Sequence, residues 1–166
     1  MKIFAFFLVI ILTPLFLLIT LPVLFSRGKG ILFIQNRVGI NKKEFCIYKF
    51  RTMHEGKITG IGRVLRKIGL DELPQLINII KGDMAFVGPR PLNQEDIDRL
   101  NWVGEEFAAR WSVKPGITGQ AQLVRICDAN LSMQQDLDYV KNKSFGRDMK
   151  VFFRSMLVPF VGKFSQ

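Results

Sequence analysis

The chain has 166 residues, room for one core beside an apolar N-terminal segment but not for two full domains. Hydrophobic residues make up 48% of it and Phe alone fills 15 positions, which is rich for a soluble domain and favours a protein that puts apolar surface into lipid. The 24 Lys+Arg against 14 Asp+Glu (net charge +10) point to nucleic acid, an anionic membrane or an anionic substrate, and the two cysteines, Cys46 and Cys127, allow one bridge but exclude a secreted disulfide framework, so a reducing, cytosol-facing domain is expected.

Residues 3–26 carry no charge. A straight helix of that length would rise roughly 36 Å, enough to cross a bilayer core. The small-x-small pattern of a cleaved signal peptide is missing. Thr13-Pro14 sits at the centre, where proline removes a backbone donor and clashes one turn back, so a kink or break is expected. The Thr13 hydroxyl could return a hydrogen bond to the freed carbonyls. Lys2 lies on one flank, and Arg27, Lys29, Arg37, Lys42 and Lys43 follow on the other before any acid. Positive charge on both sides frustrates a simple crossing and suits a helix that dips in and returns.

Two β-prone runs follow, residues 31–35 and 45–50, joined by a polar, turn-like stretch, and read as a hairpin. Ile61, Val64, Leu65 and Ile68 have helical spacing, with Arg63, Arg66 and Lys67 on the other sides. Leu73, Leu76, Ile77 and Ile80 repeat the pattern, and Gly82 is a natural stop. Residues 85–88 read as a buried strand or extended turn leading into Pro89-Arg90-Pro91. Ile97, Leu100, Val103, Phe107 and Trp111 predict a longer helix, residues 114–119 a loop, and residues 131–141 a further helix. In the last helix Phe145, Met149, Phe152, Phe153, Met156, Leu157 and Phe160 share one face, while Arg147, Lys150 and Arg154 lie elsewhere. That pattern fits a core-facing helix or one lying in a membrane interface; its terminal position and basic, Phe-rich make-up favour the interface.

Asp71 and Glu72 stand side by side just ahead of the Leu73 pattern, with Pro74 expected in the first helical turn. The helix dipole there favours negative charge. Two acids at that place are commonly simple caps. An ionised carboxylate can also attack phosphorus or hold a hard cation such as Mg²⁺. Lys49 and Arg51 end the second strand, Arg66 precedes the pair by five residues, and Arg90 is stiffened between two prolines. Each alone reads as a solvated surface charge. Together with an acidic pair they supply what a nucleotide-diphosphate substrate needs, since planar guanidinium groups suit bidentate phosphate contact.

The chain resembles the small, monotopic polyprenyl-phosphate phosphoglycosyl transferases, bacterial sugar transferases of glycan assembly. The matching blocks begin at Gln35-Asn36-Arg37-Val38-Gly39 and at Phe45-Cys46-Ile47-Tyr48-Lys49-Phe50-Arg51-Thr52-Met53. They continue with Gly69-Leu70-Asp71-Glu72-Leu73-Pro74-Gln75-Leu76-Ile77-Asn78, residues 81–92 and residues 114–122, and more weakly with Asp136, Tyr139, Asn142 and Ser144. The resemblance implies an α+β, mainly helical fold: a re-entrant membrane helix-break-helix over residues 1–26, and a cytosol-facing catalytic domain over residues 27–166 with a β-hairpin and amphipathic interfacial helices. It implies that a UDP-sugar gives its phosphosugar to Asp71, that UMP leaves, and that a polyprenyl (undecaprenyl) phosphate takes the phosphosugar from the covalent intermediate. Glu72 would act with Asp71 at Mg²⁺, with Mn²⁺ able to substitute. Lys49, Arg66 and Arg90 would bind phosphate, Gln122 and Arg125 would contact nucleotide or sugar, and Asp136 would support the site. Thr13-Pro14 aligns with the family's Ser-Pro helix break, Thr replacing Ser. The implied setting is the bacterial inner membrane, cytoplasmic face, with membrane lipid as a partner and no nucleic acid. Against a nucleic-acid-binding protein, no recognised binding motif is present and much of the positive charge sits beside membrane-like segments. Against a non-catalytic scaffold, both acids and all the phosphate-binding candidates are in place.

Overall fold

In the computed structural model, residues 1–26, 30–123 and 128–161 are described, and they divide into two units. The first comprises Met1–Gln35 and Ile47–Gly82, the second Asn36–Cys46 and Asp83–Gln166. Cys127 lies outside the described residues. Cys46 is exposed, and its thiol donates to Asn36 Oδ1 at 3.3 Å.

In the first unit the apolar segment forms one helix, α1 (Lys2–Phe25), long and apolar enough to cross a membrane. Most of its surface is exposed, including Phe4, Phe7, Ile11, Leu18 and Phe25. Of the kink or break expected at Thr13-Pro14, the break is absent: the helix continues through both Pro14 and Pro22. Thr13 Oγ1 donates to Val9 O at 2.9 Å. The carbonyl that Pro14 deprives of its donor is that of Ile10, one residue later, so the hydroxyl braces the turn without replacing the lost bond.

The buried side of α1 supplies Ile19 and Val23 to a cluster with Phe50 and Leu65. Phe16 meets the Phe50 ring at 5.6 Å, and Ile61, Leu70 and Leu73 close around them. The expected hairpin is present as β1 (Leu32–Val38) and β2 (Glu44–Phe50), paired in a two-stranded sheet. A short ribbon of β3 (Met53–His54) and β4 (Lys57–Ile58) follows. The helical spacing of Ile61 to Ile68 becomes α2 (Gly60–Ile68), capped by Thr59, whose hydroxyl accepts Gly62 N–H at 3.0 Å. Gly62 must lack a side chain, because a Cβ there would lie 2.2 Å from Thr52 O. The next apolar run becomes α3 (Leu76–Lys81), which ends at Gly82 in the left-handed region and packs against α1.

In the second unit β5 (Ala85–Val87) pairs in parallel with β6 (Gly116–Thr118), in the register Ala85 to Gly116 and Val87 to Thr118. The loop expected at residues 114–119 therefore contains a strand. The long helix expected from Ile97 to Trp111 is instead α4 (Gln94–Arg99) and a separate 3-10 helix (Glu105–Ser112). Asn101 at φ 55° breaks the ladder between them. The apolar spacing persists across the break because both pieces pack on one core of Val38, Ile97, Trp102, Trp111 and Met133. Then come α5 (Gln120–Leu123), α6 (Ala129–Lys141) and α7 (Phe145–Val161). Helix α7 divides its apolar residues. Val151 and Phe152 pack with Phe86, Val87 and Tyr139, while Phe145, Phe153, Met156 and Leu157 are exposed. The side chain of Phe160 lies outside the described residues.

Candidate active site

The acidic pair is placed by the junction of α2 and α3. Gly69, at φ 75°, ends α2 with its N–H on Arg66 O and Leu65 O, and starts a 3-10 helix over Leu70–Gln75. Only glycine takes that left-handed turn without strain. Asp71 and Glu72 occupy the first turn of the 3-10 helix, both half-buried. The sequence pattern put Pro74 in the first turn of the following α-helix; it lies instead within the 3-10 helix, and α3 begins at Leu76. Pro74 has no N–H to return to Leu70, so an i→i−4 ladder cannot start across it.

Glu72 is held from β2. Lys49 Nζ lies 2.9 Å from Glu72 Oε1, with the two side chains 18% and 21% exposed. The fully buried Asn78 of α3 accepts the Tyr48 N–H at its Oδ1 (3.2 Å), fixing β2 against α3 and setting Lys49 beside the acidic turn. Lys49 is thus an immediate partner of the acidic pair. Arg66 is exposed at the end of α2, and its Nε donates to Thr52 Oγ1 at 2.8 Å. Thr52 is itself buried and accepts Thr59 N–H at its carbonyl (3.0 Å), so Arg66 leans on a fixed point. Arg51 differs from its sequence reading as a phosphate candidate: its Nε and Nη2 donate to Gly30 O and Leu32 O at 3.1 and 2.9 Å. It clasps the chain entering β1.

In the second unit Arg90 is exposed between the buried Pro89 and Pro91. The glycines of the two neighbouring motifs interlock beneath it. A Cβ on Gly88 would meet Lys114 O at 2.4 Å, one on Gly116 would meet Gly88 N at 2.2 Å, and one on Gly119 would meet Gly88 O at 2.4 Å. The spacing of glycines in residues 114–119 therefore has a packing cause: that segment is the seat of the Arg90 loop.

Asp136 faces inward from α6. It is 3% exposed, and its Oδ2 accepts Arg110 Nε at 2.9 Å; Arg110 is equally buried. Burial pushes the Asp136 carboxyl above the usual carboxylate range, against the pull of the Arg110 charge, and burial likewise lowers Arg110. Gln122 on α5 is half-buried, and its Oε1 has no hydrogen-bond partner among the described residues. Helix α5 is anchored by Gln120, which donates to Gln135 Oε1 at 2.6 Å and accepts from Arg147. Gln120 Nε2 also donates to Asp138 Oδ2 at 3.1 Å, and this bond, followed by the pairing of Arg147 with Asp138, holds the Asp138 carboxyl below its ordinary range. Arg125 lies outside the described residues.

Arg110 went unread in the sequence, although a signal existed. Asp136 falls with Met133 and Tyr139 on the buried stripe of α6, and an acid on such a stripe requires a buried cation. For a metal, the described residues hold no cluster of three or more His, Cys, Asp or Glu side chains. The hard carboxylate oxygens of Asp71 and Glu72 are of the chemistry that holds Mg²⁺ together with substrate phosphates and water.

The family model described as bacterial sugar transferase matches residues 2–162. An uncharacterized sugar transferase, EpsL, of Bacillus subtilis is 40% identical over 154 residues, covering 84% of this chain and 75% of the relative. The UDP-glucose:undecaprenyl-phosphate glucose-1-phosphate transferase of Caulobacter vibrioides is 34% identical over 164 residues, covering 86% and 61%. The UDP-N-acetylgalactosamine-undecaprenyl-phosphate N-acetylgalactosaminephosphotransferase of Aeromonas hydrophila is 32% identical over 163 residues, covering 87% and 38%. The chain thus spans less than two thirds of the length of the Caulobacter and Aeromonas relatives.

Proposed function

We propose, from the premise that this chain belongs to the bacterial sugar transferase family, that it moves a sugar-1-phosphate from a UDP-sugar to a polyprenyl phosphate. Relatives named for glucose-phosphate and for N-acetylgalactosamine-phosphate transfer to undecaprenyl phosphate support that reaction class, and a UDP-sugar is taken as the donor class. The observation that carries the reading within this chain is the acidic turn, with Glu72 held by Lys49 and Asp71 beside it.

Asp71 is the nucleophile in this reading. A carboxylate oxygen attacks the phosphorus that bears the sugar; the bond from that phosphorus to the bridging oxygen breaks, and UMP departs with the electron pair. A phosphate oxygen of the polyprenyl phosphate then attacks the same phosphorus. The bond to Asp71 breaks, restoring the carboxylate and giving a polyprenyl-diphosphate sugar. Splitting the transfer in two lets one site serve a water-soluble donor and a lipid acceptor in turn. Lys49 keeps Glu72 oriented, and Arg66 and Arg90 take phosphate oxygens. A Mg²⁺ or Mn²⁺ ion held by Asp71 and Glu72 would offset charge on the diphosphate. The long apolar α1 supports action at a membrane, which in this reading is the bacterial inner membrane with the site on its cytoplasmic face.

The test is incubation of the membrane-embedded protein with a panel of UDP-sugars and undecaprenyl phosphate, monitoring UMP. Release with at least one donor, lost in Asp71→Asn, is expected. Equal UMP release by parent and Asp71→Asn would overturn the assignment of the nucleophile.

A further inference from the structure

Four successive carbonyls around Arg90 each accept a hydrogen bond, and the donors come from three separate stretches of the second unit: Gly116, Arg110, and the neighbouring Arg37 and Val38 at the end of β1. Pro89 O accepts Gly116 N–H at 3.0 Å, and Arg90 O accepts Arg110 Nη2 at 2.7 Å. Pro91 O accepts Arg37 Nη1 at 3.3 Å, and Leu92 O accepts Val38 N–H at 2.8 Å. The flanking prolines fix φ at positions 89 and 91, and a residue preceding proline is confined to extended conformations. A loop whose backbone is held at every step, yet whose central side chain is the exposed one, is built to present that side chain.

Arg110 is the unusual member of this set. Its guanidinium is 3% exposed and bonded through Nε to Asp136 Oδ2. It lies over the rings of Trp111 and Trp102, at 4.6 and 5.7 Å from their centroids. Burying a charged pair is costly, and a well-packed apolar pair of similar volume commonly serves stability as well or better. What an apolar pair could not do is hold Arg90 O. A planar fork can, because one edge engages the carboxylate while another nitrogen reaches the carbonyl.

We propose that Arg110, oriented by Asp136, is a positioning residue that acts through the Arg90 backbone carbonyl to fix where the Arg90 guanidinium meets the donor phosphate. Asp136 then supports the site from behind the loop, without touching substrate. The catalytic consequence rests on Arg90 being a phosphate contact; the positioning itself does not.

The experiment has two arms, run on Arg110→Lys and Asp136→Asn. Lysine keeps a charge for Asp136 but cannot bond both partners with fixed geometry. Asparagine keeps an acceptor but removes the charge that orients the fork. In the first arm, ¹⁵N relaxation of the full chain in micelles reads the Arg90 backbone amide. Its order parameter is expected to fall from about 0.85 to below about 0.6, while the amides of β5 hold theirs. An unchanged value at Arg90 in the folded variants overturns the proposal. The second arm measures kcat/KM for UMP release. Arg110→Lys is expected to lose about tenfold or more in the parent, and less than about twofold in an Arg90→Ala background, since a residue acting through Arg90 has nothing left to position. Equal losses in both backgrounds would make the buried pair scaffolding only and overturn the proposal. Full activity of Arg90→Ala alone would instead remove Arg90 from the reading of the site, leaving the relaxation arm to decide the positioning.

Discussion

Gly116→Ala should open the seat of the Arg90 loop. The added Cβ would stand 2.2 Å from Gly88 N, 2.5 Å from Thr118 O and 2.6 Å from Val87 C. All three are backbone atoms, Val87 C at the end of β5, Gly88 N just beyond it and Thr118 O on β6 itself, so no side chain can turn aside to admit it. Relief requires the two strands to part, which weakens Ala85 N–H to Pro115 O, Gly88 N–H to Thr118 O and Gly116 N–H to Pro89 O, now at 2.8, 2.9 and 3.0 Å. Overpacking of this kind costs about 1–3 kcal/mol, and each weakened hydrogen bond adds up to about 1 kcal/mol. A total near 3 kcal/mol corresponds to about a hundredfold rise in local opening. Amide hydrogen exchange at Ala85 and Gly88 is the assay, with the α1 amides as an internal reference. Protection at Ala85 and Gly88 within threefold of the parent would refute the interlocked-glycine account.

Lys49→Met should lower UMP release by about a hundredfold to a thousandfold, the order seen when one preorganised donor is removed from a site, because Glu72 loses the cation 2.9 Å from its Oε1. In a Glu72→Gln background the same change should cost little, and comparable losses in the two backgrounds would return Lys49 to direct substrate binding. Chelation of divalent cations should abolish turnover and Mg²⁺ or Mn²⁺ should restore it; full rates in excess chelator would remove the metal from the proposed site.

The local elements were legible where a single physical cause sets them. The spacing of Ile61, Val64, Leu65 and Ile68 marks α2, Gly82 ends α3, and the polar stretch after β1 turns the hairpin, whereas the Thr59 cap and the Gly69 turn that bound α2 were not read. The acidic pair was legible because Asp71 and Glu72 stand between two amphipathic runs where a turn had to fall. Apolar spacing misled between Ile97 and Trp111, since residues on two separate helices can line one core while Asn101 breaks the ladder between them. The helix through Pro14 shows the opposite case, where a local breaker does not end a long apolar helix. Long-range polar pairs were the least legible. Arg51 and Arg110 look like surface charges in sequence, and only the fold brings Gly30 O, Leu32 O and Asp136 to them.

The central claim is that Asp71 carries the phosphosugar. Intact-protein mass spectrometry after brief incubation with a UDP-sugar, without polyprenyl phosphate, tests it most directly. The account predicts a mass increase of one phosphosugar, peptide mapping that places it on Asp71, no adduct in Asp71→Asn, and loss of the adduct when polyprenyl phosphate is added. An adduct on Glu72, or full UMP release by a protein that never carries the phosphosugar, would contradict it.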